Sequence, residues 1–370
     1  LLSVCRMVYR RLTLVALLVL SIPGTLYIAT IASDLDTFEV MTSWVIYASG
    51  ALLNLYYLYY DAMLRGIGSV ALASKIKTLS RVIQLLITVA LLFAGFGLIG
   101  AAAGFLASVL VFRAMCSLSF WRNENVKKLG LRDIPIDKLR KAEIYRIVSY
   151  NAYKDGAVQI ANYASTQASS LICSTFLGLE EAGAFSIALQ FATAIGNVSL
   201  VLVTSSRPML QSAYQRGDMD LIKTTLERCI AIYIIMFCLM TLCVLVFAYP
   251  LLNIFRPDLS FDALLFMGIA VYMFLFDWCA LFSSMLSNMN IIPYAKSYVA
   301  SALGGVAISC ALVCFTPLGS WGLVIGLTAA QMTYNVWKWP MHTAKLLDTR
   351  VCLLLKRGLS SIAQYVKTRG

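Results

Sequence analysis

Residues 261–288 read FDALLFMGIAVYMFLFDWCALFSSMLSN. Between Asp262 at one edge and the end of the run, Asp277 is the single Asp, Glu, Lys or Arg. A bilayer core of about 30 Å takes about 20 apolar residues as a helix. The run does not alternate apolar and polar residues as a membrane strand would. Its polar members, Asp277, Ser284 and Asn288, fall at helical spacing instead. The stretch therefore predicts a membrane-spanning helix that carries one polar face.

Nine further segments meet the same length test: 12–33, 38–60, 79–95, 98–121, 151–177, 183–206, 226–249, 298–316 and 319–340. The whole composition agrees with ten spans. Of the 370 residues, 60% are hydrophobic and 13% charged, where globular chains run about 45–50% and about 25%. The mean hydropathy of +0.79 spreads that excess along the chain. A soluble enzyme, a nucleic-acid-binding domain and a disordered protein are thereby excluded. The predicted class is an all-α, polytopic membrane protein. Arg6, Arg10 and Arg11 before the first apolar run resemble a signal peptide's charged region, but the run is too long for one and reads as a permanent helix.

Seven of the ten cysteines, among them Cys173 and Cys279, lie inside apolar runs, and no Cys-x-x-Cys pair occurs. They read as small hydrophobes. With His342 as the single histidine, no metal site and no cofactor is expected.

The net charge of +12 marks one membrane face. Counting residues at span edges, 27 of the 30 Lys and Arg fall before the first span, in alternate loops, or after the last. The opposite loops hold Arg256 alone, with Asp34, Asp36, Glu39, Glu180 and Glu181 on the same side. By the positive-inside rule both termini are cytoplasmic. The outer loops are too short to build an active site, so no catalytic residue is assigned and the chain is expected not to be an enzyme.

One ungapped register, an offset of 222 residues, brings like residues together. Met63-Leu64 falls on Met285-Leu286, Ala73 on Ala295 and Phe93 on Phe315. Gly97, Gly100 and Gly104 fall on Gly319, Gly322 and Gly326. The glycines suit close helix packing in lipid. Parallel repeats of this kind are a transporter architecture, with the substrate path between halves. The expected organisation is a four-helix N-terminal lobe over 1–121, a basic, partly helical linker over 122–150, a six-helix C-terminal lobe over 151–340 and an amphipathic tail over 341–370. The register leaves the first lobe two helices short, so two spans are expected upstream of Leu1.

Four spans carry polar residues at intervals of three or four. Asp155, Gln159, Asn162, Thr166 and Ser169-Ser170 line one; Ser186, Gln190, Thr193 and Asn197 another; Thr328, Gln331, Asn335 and Lys338 a third; and Asp277, Ser284 and Asn288 the fourth. Polar groups are costly in hydrocarbon, so these faces should meet protein or water. Interhelical hydrogen bonding is the bland explanation for one stripe; four favour a hydrated cavity. Its candidate lining is Arg113, Lys154, Asp155, Gln159, Asn162, Gln190, Asn197, Asp277, Gln331 and Asn335. Arg113 also lies near enough to a helix end to snorkel, and Lys154 to pair at the interface. In the tail, Leu355, Leu359, Ile362 and Val366 share one face among Lys356, Arg357 and Lys367, which predicts a helix lying on anionic lipid.

The stretch from Tyr56 through Asp61-Ala62-Met63-Leu64-Arg65-Gly66-Ile67-Gly68, with Lys75 and Arg81 after it, resembles the polysaccharide flippases of the multidrug/oligosaccharidyl-lipid/polysaccharide (MOP) exporter superfamily. So does Gly183-Ala184-Phe185-Ser186-Ile187-Ala188-Leu189-Gln190-Phe191. The resemblance implies a two-lobed bundle of twelve or fourteen helices in a bacterial inner membrane. It implies that an undecaprenyl-diphosphate-linked (O-antigen, lipopolysaccharide type) oligosaccharide is flipped to the periplasmic leaflet by alternating access. Arg113, Lys154 and Arg65, the last as a cytoplasmic gate, are then the available cations for the diphosphate. Asp277 or Asp155 would couple the cycle to H+ or Na+, and glycan-assembly proteins are implied partners. An ion-coupled drug/cation antiporter of the same superfamily is the near alternative, because the cavity candidates hold as many acids as bases. A membrane enzyme of glycan assembly is a more distant one.

Overall fold

The computed structural model describes residues 2–31, 36–128, 138–255, 262–289 and 291–367. Asp34 and Arg256 of the sequence reading lie outside them, as do residues 129–137 of the expected linker. Every element among the described residues is helical. The chain forms two compact units, Leu1–Tyr150 and Asn151–Gly370.

In the first unit, α1 (Leu2–Val19) passes through a π-helical turn (Leu20–Gly24) into α2 (Thr25–Ile31). Pro23 sits in that turn. A proline offers no N–H and crowds the carbonyl four residues back, and a widened turn accommodates both. Helix α3 (Thr37–Tyr57) is capped by Asp36, whose side chain accepts from the Phe38 N–H at 3.0 Å. There follow α4 (Tyr59–Gly66), α5 (Val70–Phe93), α6 (Gly97–Arg122) and the short α7 (Glu124–Lys128).

The second unit is entered along α8 (Lys138–Phe176). It continues through α9 (Leu179–Ser199), α10 (Val201–Ser205), α11 (Arg207–Gln215) and α12 (Met219–Cys243). A second π-helical turn (Val244–Ala248) leads into α13 (Tyr249–Phe255). Then come α14 (Ala263–Asn288), α15 (Ala295–Phe315), α16 (Ser320–Met332), α17 (Asn335–Leu346) and α18 (Val351–Lys367). Asp218 and Asp262 cap α12 and α14 by accepting from Leu221 N–H at 3.0 Å and Leu264 N–H at 2.8 Å.

Each unit has its own core. Tyr59, Leu64, Ile76, Cys116 and Phe120 form that of the first. In the second, Leu226, Ile230 and Tyr233 of α12 meet Phe266, Ile269 and Phe282 of α14 and Phe185 of α9. Large apolar side chains also cover the outside, including Leu18, Leu85, Phe93, Ile160, Phe247, Leu303 and Phe315. That exterior suits lipid and would be untenable in water.

Among the described residues, six helical runs, not ten, are both long and apolar enough to cross a membrane: Val4–Thr30, Val70–Phe93, Gly97–Arg122, Met219–Leu252, Ala263–Asn288 and Ala295–Phe315. The other expected spans fall short for a physical reason. Helices α3, α8 and α9 carry polar and aromatic residues that lower their hydropathy. The expected span 319–340 is broken at Thr333–Tyr334 into the 13-residue α16 and the 12-residue α17. The span expected at 183–206 likewise ends as a regular helix at Ser199.

The glycines picked out by the 222-residue register pack alike within each unit. On α6, a methyl at Gly100 would press on Leu91 of α5, and one at Gly104 would overlap Thr88. On α16, a methyl at Gly322 would press on Leu312 of α15, and one at Gly326 would overlap Ser309. The backbones approach where no side chain intervenes. Gly97 and Gly319 both take positive φ, 47° and 50°, immediately before their helices turn. The N–H of Leu98 then donates to Glu39 Oε1 at 2.7 Å, and the Ser320 hydroxyl donates to Glu181 Oε1 at 2.8 Å. A carboxylate thus sits at the positive end of both helices.

The tail differs from expectation. Leu354 of α18 is fully buried, and Gly358 lies so close to the Glu227 carbonyl of α12 that a methyl there would overlap it. Arg357 pairs with Glu227 at 3.7 Å. Of the face expected to meet anionic lipid, Leu359 is exposed and Leu355 half-buried; the side chains of Ile362 and Val366 lie outside the described residues. The helix docks on protein through Leu354 and Gly358, and a glycine contact leaves no mark in an apolar pattern.

Candidate functional site

The second unit gathers the polar groups. Asp277 lies mid-way along α14, with 7% of its surface exposed. Its carboxylate presses on Gly196 of α9, where a methyl group would overlap Oδ2. Small size at 196 is therefore what lets an acid fit between the two helices. Among the described residues Oδ2 has no hydrogen-bond partner. An unpaired carboxylate in such a place costs several kcal/mol, at least about 3, relative to a paired one. Two tyrosines brace the helix around it. Tyr233 of α12 donates to the Phe274 carbonyl at 2.6 Å, and Tyr272 donates to the Ser165 carbonyl of α8 at 2.5 Å.

Asp277 has company. Buried atoms without a partner among the described residues are also Asn162 Oδ1 and Ser169 Oγ on α8, Ser284 Oγ and Asn288 Nδ2 on α14, and Thr343 Oγ1 on α17. All belong to the second unit. Asp277, Ser284 and Asn288 stand at i, i+7 and i+11, one face of α14 running about 16 Å along its axis. Buried polar atoms are otherwise almost always satisfied, so a line of orphans in one unit is unusual.

The remaining expected lining divides. Asn335 Nδ2 donates to Gln331 Oε1 and Ser301 Oγ, both at 2.9 Å. Trp339 Nε1 donates to Asn335 Oδ1 at 2.9 Å, and Ser301 Oγ to the Ala330 carbonyl at 3.1 Å. Gln331 and Asn335 are thus spent on joining α15, α16 and α17, a packing geometry. Gln159, Gln190 and Asn197 are exposed on their helices. Lys154 is half-buried, and the side chain of Asp155 lies outside the described residues. Arg113 and Arg65 belong to the first unit. The Arg113 guanidinium lies 3.8 Å over the Tyr57 ring, and Arg65 pairs with Asp61 at 3.1 Å. Sequence reading overlooked Gly196, Ser301 and Trp339. A glycine one residue before Asn197 was the available signal for the first.

Among the described residues no group of His, Cys, Asp and Glu has the arrangement of a metal centre.

No family model and no curated protein matches the chain. Solved structures do. An inward-facing multidrug resistance MATE family transporter of the MOP superfamily aligns with a TM-score of 0.68 at 16% identity, over 93% of this chain and 80% of that one. An outward-facing structure of such a transporter aligns at 0.58 and 17%, over 99% and 82%. A MOP superfamily transporter from Pyrococcus furiosus, described by the reverse polarity of its binding pocket, aligns at 0.61 and 17%, over 94% and 79%. The chain has the fold of these multi-pass membrane transporters.

Proposed function

We propose that the chain is a cation-coupled transporter that exchanges a proton or sodium ion for an organic substrate by alternating access. The carrying observation is Asp277, buried against Gly196 with an oxygen that has no partner among the described residues. A carboxylate so placed has little to offset its charge except a proton or a metal cation, and the two helices that hold it would sense which is bound. Ser284 and Asn288 on the same face offer the oxygen and nitrogen atoms that a hydrated path to it needs.

The neighbours in fold support this reading: their inward- and outward-facing forms belong to multidrug transporters. That backs the drug/cation antiporter over the lipid-linked oligosaccharide flippase implied by sequence resemblance. Two of the basic residues named for a diphosphate are already engaged: Arg113 stacks on Tyr57 and Arg65 pairs with Asp61. The sorting of Lys and Arg supports an orientation with both termini in the cytoplasm.

Proteoliposomes test the proposal. With an imposed cation gradient, wild-type protein should drive counterflow of a cationic dye, and Asp277→Asn should slow it by about 5- to 150-fold, as coupling energies of about 1–3 kcal/mol imply. Dye flux that ignores the gradient in the wild type, or an Asp277→Asn protein with undiminished gradient-driven flux, overturns it. Gradient-driven passage of a lipid-linked oligosaccharide in place of the dye would restore the flippase.

A further inference from the structure

The first unit holds a different kind of site. Asn54 of α3, Asp61 of α4, Lys77, Ser80 and Arg81 of α5, and Ser108 of α6 line a cavity of about 160 Å³, floored by Phe105 and Phe112. At about 30 Å³ per water this is room for about five, enough for a phosphate group. The Asp61 carboxylate is already held by Arg65, at 3.1 and 3.2 Å. Neither Lys77 nor Arg81 has an ion pair among the described residues. Arg81 is steadied from one side, its Nη1 donating to Gln84 Oε1 at 2.9 Å. The serine hydroxyls donate to their own helices, Ser80 to the Ile76 carbonyl at 2.8 Å and Ser108 to that of Phe105 at 2.7 Å. The donors left facing the cavity are therefore cationic, apart from the Asn54 amide.

Two observations make this more than a basic surface. The first is the internal register. Lys77, Arg81 and Gln84 correspond, at the offset of 222, to Val299, Leu303 and Val306. Helix α15 packs on α16 through the same glycines as α5 on α6, with aliphatic residues at those places. The fold does not require cations there. The second is location. The cavity opens where the charged first half of α5, with Lys75, Lys77 and Arg81, gives way to its apolar run from Val82 to Phe93. Lys and Arg at the edge of an apolar run mark the headgroup level of a bilayer, and basic pockets between helices at that level hold anionic headgroups.

We propose that the Lys77–Arg81 cavity of the first unit binds the phosphate of a membrane lipid headgroup. Arg81 offers a planar fork to two oxygens, Lys77 a point charge to a third, and the acyl chains would run down the exposed apolar face of α5 at Val82, Leu85 and Leu86. The proposal is independent of coupling at Asp277, which lies in the other unit.

Native mass spectrometry of the full chain released from nanodiscs tests it. Phosphatidylglycerol should be retained over phosphatidylcholine, whose choline cancels the phosphate charge. Lys77→Gln and Arg81→Gln, both at exposed positions, should each weaken retention at least about tenfold, the loss of one charge-assisted contact. Lys77→Arg, and Arg216→Gln in the other unit, should retain it. A parallel arm with inorganic phosphate alone separates the sources: a phosphate-dependent rise in unfolding temperature that Arg81→Gln abolishes, without lipid retention, assigns the cavity to the free anion. Equal retention of both lipids with no phosphate effect, or binding unchanged in Lys77→Gln and Arg81→Gln, overturns the proposal.

Discussion

Gly196 shows how one absent side chain decides a site. A methyl group there would occupy the place of Asp277 Oδ2. Gly196→Ala should therefore displace the carboxylate or open the α9–α14 contact, at a cost of about 1–3 kcal/mol for overpacking. Measured as the concentration of H+ or Na+ that half-saturates transport, it should shift the coupling ion's affinity more than the dye's. The amide of Asn335 stands in contrast, engaged with Gln331, Ser301 and Trp339. Asn335→Leu leaves the Trp339 indole only its longer bond, 3.2 Å to Ser297 Oγ, and strands Gln331 Oε1; it should lower stability by about 1–3 kcal/mol, read as a fall in unfolding temperature in detergent. Polar periodicity made both sets visible in the sequence. It could not separate them, since an orphan and a satisfied amide share the same spacing and differ only in what lies opposite.

At the scale of elements, the two hairpins α5–α6 and α15–α16 use one device. Gly104→Leu and Gly326→Leu should each pry apart their own pair, with faster backbone hydrogen exchange confined to that hairpin. Exchange spreading through both units from either change would show that the hairpins do not pack independently. The glycines were legible in the sequence because their spacing recurs at a fixed offset. The break between α16 and α17 was not, because no Gly or Pro marks Thr333–Tyr334. Pro340, which does stand in the region, falls inside α17.

For the whole molecule, charge sorting sets the expected orientation and neither unit's geometry supplies it. A green fluorescent fusion after Gly370 should glow, while alkaline phosphatase inserted near Gly178 should be active; the reverse pattern would invert the assignment. The class was readable from composition, since apolar excess in water has few outlets. The number of spans was less so. A helix that hides its polar face among protein neighbours needs less hydropathy than one bathed in lipid, and the length test treats them alike. Charge was read too broadly as well: Arg65 and Arg113 drew notice by standing in or near apolar runs, whereas Lys77 and Arg81 were counted as loop charges although they line a cavity together.

The docking of α18 on α12 places a native reporter where it is useful. Cys352 is exposed on α18, one turn before Arg357 grips Glu227. The other exposed thiols, Cys238 and Cys314, stand on helical runs apolar enough to be lipid-covered. A water-soluble maleimide fluorophore should thus settle on Cys352 in the unmutated protein. Because the tail is clasped to α12, its emission would follow that helix through a turnover cycle without any engineered attachment point.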